Sequence, residues 1–247
     1  MRVKVGTCGW SVKGGQPAYF STFGIIELQD TFYNLPRLER AKRLRGKAPQ
    51  GFEFVVKAWQ AVTHPITSPT WRRGKPPPGQ PQNIGMLKPT EENFMAWKAI
   101  TEVCRALSSK ICVVQTPPKF NCTEENARNM REFFSSVERS TAVGWEPRGS
   151  WDASLVKRLC EDMNLIHVVD PFRREPNRLS NVVYFRLHGI GKGEVNYSYK
   201  YSNEDLGKLL ELVRKFEGSA EEAYVMFNNL SMAEDALRFK NLLAGKP

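Results

Sequence analysis

Short apolar runs alternate along the chain with longer segments that carry apolar residues at helical spacing. The short runs predict buried strands, because they are rich in β-branched and aromatic residues and end at turn or polar residues. Eight such runs occupy 3–6, 25–29, 52–57, 111–114, the first part of 141–151, 165–169, 182–187 and 223–227. Helical spacing predicts helices over 36–45, 91–107, 123–137 and 151–163, with two more after Ser202 and Ser231. Thr123 and Ser202 are predicted helix caps, and Ser231 and Glu234 have the spacing of a capping box. Gly14 and Gly15 predict a turn after the first run.

This alternation predicts parallel strands joined by crossover helices, because parallel neighbours cannot be connected by tight turns. Eight repeats in 247 residues fit an α/β fold of the TIM-type, a (β/α)8 barrel, which needs about 250 residues. We therefore predict a single domain over 1–247. A doubly wound open sheet is the alternative, but neither GxGxxG nor GxxxxGK[ST] follows any of the runs.

A long proline-rich stretch after the third run interrupts the alternation. Prolines stand at 65, 69, 76, 77, 78, 81 and 89 within the segment 64–93, and Arg72, Arg73, Lys75 and Lys88 lie around Trp71. So many prolines argue against a regular element, and the segment is far longer than a usual connection of about 4 to 6 residues. We expect a long loop after strand 3 that acts as a lid or binding loop, with disorder as the alternative.

An excess of basic residues points to anionic partners. Lys+Arg number 36 against 26 for Asp+Glu, which gives a formal charge of +10 and a pI near 9.4. Nucleic acid and phosphorylated small molecules are the partners that such an excess favours, whereas a charged surface serving solubility is the alternative. The sequence shows no apolar run of the roughly 18 residues that a membrane span needs. We expect a cytoplasmic protein with no membrane partner.

Polar side chains cluster where the predicted strands end, and in a barrel these ends meet on one face. The candidates for catalysis are Lys57, Glu146, Asp170 and His188. The candidates for substrate binding are Trp10, Thr31, Tyr33, His64, Gln115, Arg148, Arg186, Asn228 and Asn229.

Two pairs in this set repeat one spacing. Glu146 and Arg148 are two residues apart, as are Arg186 and His188, so each pair points to one side of its strand. Glu146 or His188 could transfer protons while Arg148, Arg186 and Lys57 hold an anion. A structural ion pair is the alternative for Glu146 and Arg148.

The sequence predicts no cofactor. The five cysteines include no CxxC pair, so neither a structural zinc site nor a disulfide framework is indicated. Three histidines are too few for a zinc cluster of the kind that phosphodiesterases use, and we assign no metal ligand. A Mg²⁺ or Mn²⁺ ion held by carboxylates stays an open alternative.

Seven motifs in order resemble the domain of unknown function 72 family, the YecE-like proteins. They are VGTCGWS, DTFYNLP, FEFVVKAWQAVTH, VVQTPPKF, WEPRGSW, YFRLHG and VMFNN. The resemblance spans nearly the whole chain and implies a TIM-type barrel, but it carries no established activity. One departure is ELQDTFYNLP, where the family pattern is closer to EVNSTFYRLP, so Gln29 and Asp30 replace an Asn-Ser pair.

The favoured hypothesis is an enzyme that binds a phosphate-bearing or otherwise anionic substrate, with nucleic acid among the candidates. A hydrolase of the phosphodiesterase or nuclease kind is the form we consider first. A non-catalytic nucleic-acid-binding protein with a basic surface is the alternative. An isomerase or lyase of a small sugar or carboxylate is a third hypothesis, because this barrel hosts many reactions.

Overall fold

Eight parallel strands close into a barrel in the order of the sequence. The structure is a computed structural model that describes residues 1–178 and 180–245. The strands are β1 (Arg2–Cys8), β2 (Ile25–Leu28), β3 (Glu53–Lys57), β4 (Ile111–Gln115), β5 (Ala142–Glu146), β6 (Leu165–Val169), β7 (Val182–Leu187) and β8 (Glu222–Phe227). The predicted TIM-type barrel is confirmed, and each predicted strand overlaps an observed one.

The helices follow the strands and agree with the predicted positions in most places. They are α1 (Gly15–Thr22), α2 (Asp30–Tyr33), α3 (Leu38–Lys47), α4 (Gln60–Thr63), α5 (Glu91–Leu107), α6 (Glu124–Ser136), α7 (Ala153–Asp162), α8 (Asn203–Arg214) and α9 (Met232–Leu243). None of the helices in the described part of the chain combines the length and apolar content that a bilayer crossing requires.

Helix α1 begins at the glycine-rich turn that the sequence predicts after strand 1, in a place where the pattern predicts no helix. Its sequence GQPAYFST has no apolar stripe, which is why periodicity does not reveal it. Tyr19 holds the helix in place, because its side chain is fully buried and its hydroxyl donates to the Ile25 carbonyl at 3.0 Å. The same hydroxyl lies 2.8 Å from Thr7 Oγ1. A tertiary contact therefore outweighs weak local propensity.

By its internal contacts the chain divides into two units. The first unit comprises Met1–Glu27, Pro49–Glu53 and the chain from Ile166 onward, and the second comprises Leu28–Ala48 and Phe54–Leu165. The prediction of one domain over 1–247 stays a prediction, and its residues 179, 246 and 247 lie outside the described ones.

In the first unit β1 lies between β2 and β8, and β7 lies between β6 and β8. Lys4 on β1 links side chains at the N-terminal end of these strands. Its ammonium group is 2.7 Å from Glu53, 2.9 Å from Glu222 and 2.8 Å from the Tyr224 hydroxyl. Two carboxylates thus share one largely buried lysine.

In the second unit β4 lies between β3 and β5. Helix α5 buries the predicted apolar stripe, including Trp97, Ile100 and Leu107, and Trp97 packs edge-on against Phe133 of α6 at 5.7 Å. The side chain of Thr123 accepts a bond from the Asn126 amide, so the predicted cap of α6 is confirmed.

The proline-rich loop after strand 3 is not confirmed as one continuous irregular segment. Helix α4 ends just before the segment 64–93, which contains two 3₁₀ turns, Pro69–Arg73 and Pro81–Asn83, and the start of α5. Proline begins both turns, a position where its missing N–H costs no hydrogen bond. Asn93 fastens the end of the segment to α5, since its side chain bonds both the N–H and the carbonyl of Gly85. A role as lid or binding loop stays a prediction.

The starts of α8 and α9 test two further predicted caps. Ser202 and Asp205 form a capping box at α8, as the Ser202 signal indicates. The capping box predicted from Ser231 and Glu234 at α9 is wrong. Ser231 has φ −92° and ψ 16°, outside the extended region that a capping side chain needs, and Glu234 instead pairs with Lys200 at 2.6 Å.

Candidate functional site

Strand β5 ends in a buried ion pair. Glu146 is its last residue, and Glu146 Oε1 lies 2.8 Å from Nη2 of Arg148, two residues farther on. The side chains are only 5% and 9% exposed, so both charges are largely withdrawn from water. Arg148 lies beyond the end of β5, and the two charged groups bind each other, as the ion-pair interpretation predicts.

Two neighbouring loops fix the position of this pair. Trp151 donates its indole N–H to the Phe120 carbonyl, and the Cys122 amide donates to the Ser150 carbonyl at 2.9 Å. A side chain on Gly149 would collide with the Phe120 carbonyl, so only glycine permits this approach. The loop after β4 and the loop after β5 therefore hold each other.

Strand register places three predicted site residues on one face of the sheet in the second unit. Gln115 pairs with Glu146, and Lys57 pairs with Val113, which lies two residues before Gln115. Since alternate residues of a strand share a face, the side chains of Lys57, Gln115 and Glu146 project to the same side. We call Lys57, Gln115, Glu146 and Arg148 the β3–β5 cluster.

His64 adds a neutral imidazole beside Lys57. Both side chains pack against Phe32: the Lys57 ammonium lies 4.3 Å from the ring centroid, and the His64 ring lies 4.9 Å away, edge-on. His64 Nδ1 is 2.8 Å from the Thr63 hydroxyl. Burial and, second, the charge of Lys57 lower the pKa of His64 from 6.5 to about 3. At neutral pH His64 is therefore an uncharged hydrogen-bonding group.

Thr31 and Tyr33 occupy supporting positions in the same unit. Thr31 is buried and its hydroxyl donates to the carbonyl of Lys57 at 2.7 Å, so it braces the end of β3. The Tyr33 hydroxyl accepts a bond of 2.9 Å from Arg73, whose guanidinium also lies 3.9 Å from the Tyr33 ring centroid. Their predicted roles as substrate ligands stay predictions.

In the first unit Arg186 belongs to a fully buried triad. Its Nη2 lies 2.9 Å from Glu27 Oε1, and both side chains have 0% exposure. Tyr184 donates its hydroxyl to the other carboxylate oxygen at 2.7 Å. Burial, with the charge of Glu27 as the second cause, raises the pKa of Tyr184 well above 10.0. The charge predicted to clamp an anion is thus matched by a carboxylate.

Sequence reasoning missed Glu27 and Tyr184 as members of this triad. A signal for Glu27 was present, because a carboxylate inside the apolar run IIEL must find a partner when it is buried. No comparable signal marked Tyr184, whose aromatic ring is ordinary in a buried strand.

His188, Asn228 and Asp170 form a second group in the first unit. The Asn228 amide nitrogen lies 3.1 Å from His188 Nδ1, and the backbone N–H of His188 donates to Asp170 Oδ2 at 3.0 Å. If the amide donates, Nδ1 is the acceptor and the neutral ring carries its proton on Nε2. Asp170 also accepts from the Phe172 amide at 3.0 Å. These three predicted residues are brought together.

Asn229 and Trp10 have other surroundings. The Asn229 amide donates to the Tyr199 carbonyl and to Asp235 Oδ2, both at 2.7 Å, so it supports the start of α9. Trp10 packs edge-on against Tyr19 at 5.1 Å. Both contacts are structural, and a ligand role for either residue stays a prediction.

Within residues 1–178 and 180–245, no three side chains of His, Cys, Asp or Glu are grouped so that they could hold a metal ion.

Comparison with known proteins gives matches over almost the whole length. A family model described as "Protein of unknown function DUF72" matches residues 4–246. The UPF0759 protein YunF of Bacillus subtilis (strain 168) is 23% identical over 257 residues, which cover 92% of this chain and 84% of that protein.

Two crystal structures have the same fold. A DUF72 family protein from Thermotoga maritima MSB8 is 26% identical with a TM-score of 0.74, covering 99% of this chain and 100% of that one. A DUF72 family protein from Enterococcus faecalis V583 is 22% identical with a TM-score of 0.73, covering 98% of both chains. The latter likeness concerns the fold alone.

Proposed function

The chain belongs to the DUF72 family, and from its own side chains we propose that it is an enzyme acting on a phosphate-bearing or otherwise anionic substrate at the β3–β5 cluster. Lys57 and Arg148 neutralise the anionic oxygens. Glu146 transfers the proton, and Gln115 orients the substrate. The reaction we consider first is hydrolysis of a phosphodiester, with the carboxylate of Glu146 activating water.

One observation carries the proposal: register puts Lys57, Gln115 and Glu146 on one sheet face at the C-terminal ends of adjacent strands. In parallel barrels this is the end where substrates bind. A cation, an amide and a carboxylate supply charge, orientation and proton transfer within one surface.

The neighbouring side chains suit this assignment. His64 beside Lys57 is uncharged at neutral pH, so it offers a hydrogen bond without adding a charge. The interlocked loops fix Arg148 before a ligand arrives, which lowers the entropy lost on binding.

Inorganic phosphate tests the binding role of Lys57. At about ten times its dissociation constant, phosphate should stabilise the native protein by about 1.4 kcal/mol, which raises the melting temperature by about 3 to 6 °C. Lys57→Met should abolish this rise, because it removes the charge but keeps the aliphatic stem. Lys98→Met removes an exposed charge from α5 and serves as the matched control. An undiminished rise in Lys57→Met would contradict the assignment.

Turnover of an activated phosphodiester, bis(p-nitrophenyl) phosphate, tests the role of Glu146. Glu146→Gln should keep the phosphate-induced rise while lowering kcat by about a hundredfold or more, since general acid–base groups typically contribute about 10² to 10⁴. Equal kcat in the variant and the native protein would refute this role, as would loss of phosphate binding in the variant with its fold intact.

A non-catalytic nucleic-acid-binding protein is the second candidate, and the formal charge of +10 favours it. It differs from the enzyme in turnover: the native protein would bind oligonucleotides but would hydrolyse no phosphodiester.

A further inference from the structure

Helix α3 carries a stripe of exposed cations. Arg40, Arg43 and Lys47 follow one another at intervals of three and four residues, so they lie on one face of the helix. Arg37 precedes the first turn and is exposed as well. From Arg37 to Lys47 the chain has six cations and one anion, a balance of +5, which is half of the formal +10 of the whole chain.

A second basic segment lies beside the start of this helix. The side chain of Asn34 donates to the Arg73 carbonyl at 2.9 Å and accepts from the Lys75 amide at 3.1 Å. These bonds hold the 3₁₀ turn Pro69–Arg73 next to residue 34, and Arg72 and Lys75 are exposed there. We call Arg37, Arg40, Arg43, Lys47, Arg72 and Lys75 the α3 basic surface.

Helix stability favours Lys47, which lies in the last turn, but it does not explain the cations at the other end of α3. Cations near a helix N-terminus oppose the helix dipole, yet Arg37 and Arg40 stand there. Like charges three or four residues apart cost about 0.2 to 0.5 kcal/mol per pair. The only acid on α3, Glu39, binds Lys42 at 3.0 Å.

The cations of this surface also have no carboxylate partner among the residues that the structure describes. Across the described ranges, no ion pair joins Arg40, Arg43 or Lys47 to Asp or Glu. A surface that serves solubility alone intersperses both signs. An unpaired stripe of one sign is the usual electrostatic footprint of a polyanion-binding surface.

We propose that the α3 basic surface binds the phosphate backbone of a nucleic acid. This inference goes beyond the proposed function and does not depend on the β3–β5 cluster. Arg40 to Lys47 spans about 10 Å of helix at about 1.5 Å per residue. That length matches about three successive phosphates, at about 3.4 Å per nucleotide of a strand in a duplex.

The rest of the helix favours nucleic acid over a lipid surface. A helix that lies on a membrane exposes a broad apolar face opposite its cations. Ala41 of α3 is buried, and the helix packs along α5; Leu38 is the large apolar side chain of α3 that is exposed. Backbone contacts by arginine and lysine need no such apolar face.

A charge-matched pair of triple variants tests the proposal. Arg40→Gln, Arg43→Gln and Lys47→Gln together lower the formal charge from +10 to +7. Arg128→Gln, Lys208→Gln and Arg214→Gln make the same change on α6 and α8. Fluorescence anisotropy with a 20-nucleotide single-stranded DNA and a duplex of equal length, from 50 to 200 mM salt, measures the dissociation constants.

The α3 variant should bind single-stranded DNA about tenfold or more weakly at 50 mM salt. Its slope of log affinity against log salt should be shallower by about 2, from about 0.7 per lost phosphate contact. The control variant should bind nearly as the native protein does. Circular dichroism shows whether each variant is folded.

Equal loss in both variants would overturn the proposal, because it would mean that only net charge matters. So would unchanged binding in a folded α3 variant, or native protein that binds anionic phosphatidylserine vesicles but neither oligonucleotide. Lys57→Met separates this inference from the proposed function, since it should lose the phosphate response and still bind DNA.

Discussion

Removing Arg186 should destabilise the protein strongly, because it would leave the Glu27 carboxylate buried without its cation. Both side chains have 0% exposure, and the 2.9 Å bond joins them inside the first unit. Breaking a buried pair by removing one partner costs about 3 to 5 kcal/mol. For a chain of this size, that loss lowers the melting temperature by about 6 to 20 °C.

Urea unfolding followed by circular dichroism would measure the free energies of unfolding of Arg186→Met, Glu27→Gln and the double variant. The double variant should recover most of the lost stability, because it removes both charges and leaves an amide that can still accept the Tyr184 hydroxyl bond. A loss below about 1 kcal/mol in Arg186→Met would refute the reasoning. A double variant as unstable as Arg186→Met would do so too.

Two further predictions concern other buried charges. Lys4→Met should lower the free energy of unfolding by about 2 kcal/mol, because Glu53 and Glu222 lose their shared cation; an unchanged urea midpoint would count against this ion cluster. The folded-state pKa of His64, about 3, lies below its ordinary 6.5, so its contribution to stability is present above pH 6.5 and is lost as pH falls toward 3. Between pH 7 and 5 the native protein should lose about 2 kcal/mol more than His64→Gln, and equal losses in urea unfolding would contradict the buried neutral state.

The barrel could be predicted from the sequence because its repeating pattern is local. Each strand is a short apolar run, and β6 and β7 begin and end where the pattern predicts. Helix α1 could not be found in this way, because the contacts of Tyr19 with Thr7 and Ile25, rather than periodicity, hold it in place.

In the candidate site, too, contacts between residues close in the sequence could be predicted and contacts between distant residues could not. Glu146 ends β5 and Arg148 lies only two residues beyond it, so the two partners are close in the sequence, and their pairing was one of the two interpretations drawn from it. Arg186 binds Glu27, which lies 159 residues away in the sequence. Tyr184 donates to the same carboxylate and is 157 residues away from it in the sequence. Such partners depend on which strands are neighbours and on which of their side chains meet. A single sequence does not specify these side-chain contacts.

The contact between the loops that follow β4 and β5 has a consequence for how this fold can diversify. Barrel enzymes acquire new specificities when individual loops vary while the strands stay constant. Here Gly149 and Trp151 in one loop rest on the Phe120 carbonyl in the other, so a change in either loop alters the fit of both. The two loops should therefore vary together. Substitutions in them are non-additive, and an altered sequence in one loop is tolerated only with a compensating change in the other.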